Sequence, residues 1–128
     1  MSSKLTVGDL QVIRRVAVFR GLKPETVEHI VAPATAVTLG RHEWVMRQGD
    51  PATAFFIVID GWVKLYRSTL SGDEAVIEIM ATGNSFAEAA AFTGGQYIAR
   101  GEAGTTGRGV RVPAEQLGKS LYQNPIIA

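Results

Sequence analysis

From residue 36 to residue 112 the sequence is cut into short runs rich in Val, Ile, Phe, Trp and Tyr, and a turn former closes each run within about ten residues. This rhythm predicts strands over 36–39, 44–47, 54–60, 62–70, 75–80, 99–105 and 107–112. The corners between them fall at Gly40, Gly49-Asp50-Pro51, Asp60-Gly61, Ser71-Gly72-Asp73 and Thr82-Gly83-Asn84. Fourteen of the 128 residues are glycine, well above the roughly 7% of an ordinary chain, and each of these corners carries one. Many short strands with glycine corners describe a barrel or a double-sheet roll.

Helices are expected at both ends and at one interior point. Leu10, Ile13, Val16 and Ala17 recur at helical spacing with Arg14 and Arg15 opposite, which predicts a helix over 7–18. Pro24 at a first helical position, Glu25 in the opening turn and the stripe Val27, Ile30, Val31 predict a second over 24–33. Residues 87–92 are alanine-rich and carry Glu88, so a short helix is expected there with Ser85 as its cap. Pro113, Leu117 and Leu121 predict a last helix over 113–122.

The balance of 13 basic and 12 acidic side chains, net +1, offers no broad field for a polyanion. This stretch alone is therefore expected to bind DNA poorly. With no cysteine, thiolate zinc sites and cysteine-held iron–sulfur clusters are excluded. No run of about 18 apolar residues occurs and the N-terminus carries no signal-peptide pattern, so no membrane partner is expected and the cytoplasm is the expected location. No Ser-His-Asp set, zinc spacing or P-loop is present, which argues against an enzyme.

A turn at Gly83, a helix start at Ser85 to Glu88 and a glycine loop at Gly94-Gly95 form a concave unit. Free amides at that helix start would suit a small phosphate-like group. The run Gly83-Asn84-Ser85-Phe86-Ala87-Glu88-Ala89-Ala90-Ala91-Phe92 resembles the phosphate-binding cassette of cyclic-nucleotide-binding domains, particularly those of Crp/Fnr transcription regulators. Phe19-Arg20-Gly21-Leu22-Lys23-Pro24-Glu25 resembles the family's inter-helix entry. Arg47-Gln48-Gly49-Asp50-Pro51-Ala52 resembles its turn before the third strand, and Ile59-Asp60-Gly61-Trp62-Val63-Lys64-Leu65-Tyr66 its central hairpin. The likeness runs in order from about residue 15 to residue 127.

The resemblance implies a mainly β fold, a double-stranded β-helix or jelly roll. It implies a sensor domain over 1–120: a helical lead-in over 1–33, a β-roll over 36–112 and a helix over 113–120. Residues 121–128 would begin a dimerisation helix that this chain truncates, and a helix-turn-helix absent from this chain would read DNA in a homodimer. The implied activity is effector sensing, with ligand binding shifting the DNA affinity of the full-length dimer. A stand-alone cyclic-nucleotide-binding module and a ligand-free dimerisation scaffold are the alternatives.

By the same resemblance the small-molecule site comprises Gly83, Ser85, Phe86, Ala87, Glu88, Ala89, Tyr97, Ile98, Ala99 and Arg100. Glu88 would accept a hydrogen bond from a ribose hydroxyl, and the amides of Ala87, Glu88 and Ala89 would face a phosphate. Glu88 also reads as a first-turn carboxylate favoured by the helix dipole. The family's phosphate-gripping arginine falls nine or ten residues after that glutamate, where this chain has Tyr97 and Ile98. Losing a charge-assisted hydrogen bond of about 1.5 to 3 kcal/mol weakens a cyclic nucleotide at least tenfold. Arg100, two residues beyond Ile98, reads either as a substitute on the same strand face or as a partner of Glu102 or solvent.

Tyr97-Ile98-Ala99 is similar to the branch that includes haem-dependent nitric-oxide sensors, which makes haem a candidate effector. Its candidate iron ligands are His29, His42, Met46, Met80 and the tyrosines. Both histidines also read as solvated or capping residues. The aromatics Trp44, Phe55, Phe56, Trp62 and Tyr66 read as roll packing ahead of a base-stacking platform.

Overall fold

A computed structural model describes residues 2–114. In chain order the elements are β1 (Ser2–Ser3), α1 (Val7–Ile13), a 3-10 turn (Ala17–Phe19), α2 (Pro24–Val31), β2 (Thr35–Leu39), β3 (Trp44–Met46), β4 (Ala54–Asp60), β5 (Trp62–Ser68), β6 (Glu74–Ala81), β7 (Ser85–Phe86), α3 (Glu88–Thr93), β8 (Arg100–Ala103) and β9 (Gly107–Pro113). The strands make two antiparallel sheets, ordered β1-β2-β9-β4-β7 and β3-β8-β5-β6. The mainly β roll read from the sequence is the fold observed.

β4 explains the two-layered core. Ala54 through Val58 are all buried, and because side chains alternate across a strand, they divide between two apolar clusters. Phe55 and Ile57 join Ile13, Val16, Phe19, Ile30, Val110 and Val112 under the helices. Ala54, Phe56 and Val58 join Met46, Val63, Leu65, Met80, Phe86 and Tyr97 inside the roll. A strand covered on both faces reads as one continuous apolar run, as 54–58 does.

α1 opens with a capping box: Thr6 Oγ1 accepts from the Asp9 amide at 3.1 Å, and the Thr6 amide donates to Asp9 Oδ2 at 2.8 Å. Asp9 is 1% exposed. Its carboxylate accepts Arg108 Nε at 2.8 Å and Arg108 Nη2 at 2.7 Å, tying α1 to β9. Those bonds hold the Asp9 carboxyl below its ordinary value against the opposing effect of burial, and they hold Arg108 above its own.

The helix expected over 7–18 stops at Ile13. Val16 is extended, with φ −66° and ψ 134°, and the break carries Val16 and Phe19 into the cluster that holds Ile13. Ser85, expected as a helix cap, lies in β7 opposite Ile57. The strand expected over 62–70 ends at Ser68, and that over 99–105 is confined to Arg100–Ala103. Pro113, expected at or just before the first position of a helix, closes β9 paired with Ala54, where a missing N–H is tolerated at a strand end, and Ala114 after it is helical. The rest of the helix expected over 113–122 and the dimerisation segment over 121–128 lie outside the described residues.

Trp62 packs its indole flat on Gly104, leaving no room there for a Cβ. β6, at a sheet edge, leaves Val76, Ile77 and Ile79 exposed.

Candidate ligand-binding site

The segment after β6 is fixed to β4 before it forms α3. Gly83 N donates to the Val58 carbonyl at 2.8 Å, and Val58 N donates to the Asn84 carbonyl at 2.9 Å. Asn84 Oδ1 closes the turn by accepting from Ala81 N at 2.9 Å. Phe86 then stacks on Phe56 with ring centroids 5.4 Å apart. The next residue, Ala87, caps α3 in the left-handed region at φ 70° with no side-chain cap. That conformation strains an L-residue, and it turns the chain sharply enough for α3 to cross the mouth of the roll.

The return leg is held to a different loop. Gly94 ends α3 at φ 70°. Ala52 N donates to the Gly95 carbonyl at 2.9 Å, Tyr97 N to the Asp50 carbonyl at 3.0 Å, and Gly49 N to the Tyr97 carbonyl at 2.9 Å. Tyr97 therefore points inward. Its hydroxyl donates to the Ala54 carbonyl at 2.8 Å and accepts from Ala54 N at 3.3 Å.

Between α3, the return leg and the β5–β6 sheet lies a cavity of about 620 Å³. Of the ten residues singled out from the sequence, Ser85, Phe86, Ala87, Glu88, Ala89, Tyr97, Ile98 and Ala99 line it, and Gly83 and Arg100 do not. Met46 of β3, Leu65 of β5, and Ile77, Glu78 and Met80 of β6 form the sheet side of the wall, and Ala90, Thr93, Gly95 and Gln96 extend the cassette side. Sequence reasoning offered Met46 and Met80 only as iron ligands and missed Leu65, Ile77 and Glu78, because strand periodicity says which residues share a face, not which face looks into the cavity. The charged residues among the lining are Glu78 and Glu88, both acidic. Glu88 Oε1 is buried and has no hydrogen-bond partner among the described residues.

Arg100 is engaged elsewhere. Its guanidinium carbon lies 4.5 Å from the Trp44 ring centre and 4.1 Å from that of Tyr66. Nη2 donates to the Tyr66 hydroxyl and to Glu74 Oε1, the latter at 3.2 Å. Glu102, which the sequence offered as a partner for Arg100, instead accepts from the Tyr66 hydroxyl at 2.7 Å and faces His42 Nδ1 at 3.4 Å. Arg67, the other cation near the cassette, donates Nε to the Ile98 carbonyl at 3.2 Å and is not part of the lining.

Of the candidate iron ligands, Met46, Met80 and Tyr97 line the cavity, and His29 and His42 do not. Among the described residues no group of three or more His, Cys, Asp or Glu is placed to hold a metal ion. No helix among them is long and apolar enough to cross a membrane.

Comparison with known proteins agrees with this geometry. The family model of the cyclic nucleotide-binding domain matches residues 36–124. CRP-like cAMP-activated global transcriptional regulators of two Mycobacterium tuberculosis strains are 25% identical over 118 residues, covering 92% of this chain and 53% of theirs. The chain thus spans about half the length of the curated relatives it matches. The sensor domain of the transcriptional regulator DNR from Pseudomonas aeruginosa superposes with a TM-score of 0.82 at 31% identity, covering 91% of this chain and 79% of that one. A longer DNR structure from Pseudomonas aeruginosa gives 0.84 at 30% identity, covering 97% and 55%.

Proposed function

The chain belongs to the cyclic nucleotide-binding domain family, as a sensory domain of the Crp/Fnr kind, and on that premise we propose that its cavity takes a small effector that sets the DNA affinity of a full-length dimer. The domain is a regulator's module and not an enzyme. The observation that carries the reading is the cavity itself: about 620 Å³ walled by α3 and the return leg on one side and by the β5–β6 sheet on the other. A ligand there touches both halves of the cassette. It can therefore stabilise one arrangement of the cassette over another, and a two-state regulator shifts only by such differential contact.

The helix following residue 121 would pair two copies, a helix-turn-helix beyond it would enter the major groove, and the protein would work in the cytoplasm. Among family ligands, a cyclic nucleotide would meet no basic side chain in the described lining. Haem would meet the thioethers of Met46 and Met80 and no imidazole. The test is operator binding by the full-length protein with and without candidate effectors. A ligand-dependent change in affinity is expected; the same affinity under every ligand condition overturns the reading.

A further inference from the structure

The geometry points to a cavity that selects an uncharged or cationic, largely apolar ligand carrying an N–H or O–H donor for Glu88. This narrows the ligand class of the effector site proposed above and rests on that reading.

Two features of the wall decide it. The described lining has two charged side chains, Glu78 and Glu88; of the bordering cations, Arg67 Nε donates to the Ile98 carbonyl and Arg100 Nη2 donates to Tyr66 and Glu74, and the unpartnered Arg100 Nε is buried outside the lining. An anion entering would shed its hydration beside a carboxylate with no cation among the described lining residues to replace the lost water, so desolvation and like-charge repulsion both oppose it. The second feature is Glu88 Oε1, buried without a partner. A buried acceptor left unmade is costly, and a donor on the ligand would complete it with a charge-assisted bond. Met46, Leu65, Ile77, Met80 and Phe86 supply the apolar remainder of the wall, which attracts carbon surface without directional demands.

The arrangement reverses the polarity of a phosphate site. The acidic group that would touch a sugar hydroxyl remains, and no basic side chain among the described lining residues stands opposite it. What is left is a donor-seeking carboxylate at the edge of an apolar chamber.

Two dyes with the same ring system test this on the chain at pH 7: N-phenyl-1-naphthylamine, uncharged with one N–H, and 1-anilinonaphthalene-8-sulfonate, its anionic counterpart. Fluorescence titration should give the uncharged dye a Kd at least tenfold lower. Glu88→Gln, which keeps the volume and removes the charge, should shrink that ratio at least threefold. Glu88→Lys should invert it. Equal or tighter binding of the sulfonate by the unaltered chain, or a ratio unmoved by Glu88→Gln, overturns the ligand class and leaves the cavity as an effector site. No binding of either dye likewise overturns the ligand class, and the effector site itself stands or falls by operator binding.

Discussion

Asp9 of α1 and Arg108 of β9, ninety-nine residues apart, form a two-point ion pair in which the carboxylate is almost fully buried and the guanidinium bonds both its oxygens. The same carboxylate accepts the Thr6 amide. One side chain thus closes a helix start and joins the helical layer to the central strand of a sheet.

Replacing Asp9 with alanine removes the side-chain half of the capping box and leaves Arg108 without its carboxylate partner. We expect a loss of about 3 kcal/mol, near the lower end for breaking a buried ion pair, measured by urea unfolding monitored through tryptophan fluorescence. A loss under about 1 kcal/mol would mean that the pair contributes little beyond a surface bridge.

Acid should reveal the same bond. Asp9 titrates below its ordinary value of 3.8 in the folded state, so its contribution is complete above the unfolded value and disappears as pH falls through the folded one. Unfolding free energy is therefore expected to drop as pH is lowered below about 4. In Asp9→Asn that part of the pH slope should be missing, and an identical slope in the variant would show that other carboxylates cause it.

Ala87 has a left-handed backbone at φ 70°. Glycine takes that conformation without a Cβ penalty of about 1 to 2 kcal/mol per residue, offset in part by its greater freedom when unfolded. Ala87→Gly should raise stability by about 0.5 to 1 kcal/mol in thermal or chemical unfolding. Destabilisation instead would show that this turn is not held as described.

Ile98 lines the cavity and is 67% exposed, so a long polar side chain fits there without opening the core. Ile98→Arg should raise cyclic AMP affinity at least tenfold, the worth of one charge-assisted hydrogen bond of about 1.5 kcal/mol, as read by calorimetry. Tyr97→Arg should fail in the same assay, because Tyr97 is 7% exposed and its hydroxyl satisfies both backbone groups of Ala54. Equal gain from both replacements would contradict the different places of the two side chains.

The strands were legible because the turn residues stand where the chain turns: β4 runs from Ala54 to Asp60 as its apolar run and the following Asp60-Gly61 imply. The break in the first helix was not. Ile13, Val16 and Ala17 have helical spacing, but burying Val16 and Phe19 together requires an extended residue between two helical pieces, a tertiary demand that overrides local periodicity. Two-residue strands such as β7 leave no periodic signal, so Ser85 resembled a cap. In the site, the cassette half was readable as a contiguous motif. The β-sheet half was not, since Met46, Leu65 and Met80 come together only when β3, β8, β5 and β6 assemble into one sheet. Arg100 misleads for a related reason: its partners Trp44, Tyr66 and Glu74 sit on three neighbouring strands, so no local pattern announces them.

β4, flanked by strands on both edges and covered on both faces, sets a hierarchy of motion. Six residue pairs bind it to β9, whereas two bind it to β7, the strand that leads into α3. The amides of β4 facing β9 should exchange with solvent only when the whole domain opens, and those of α3 through smaller, more frequent openings.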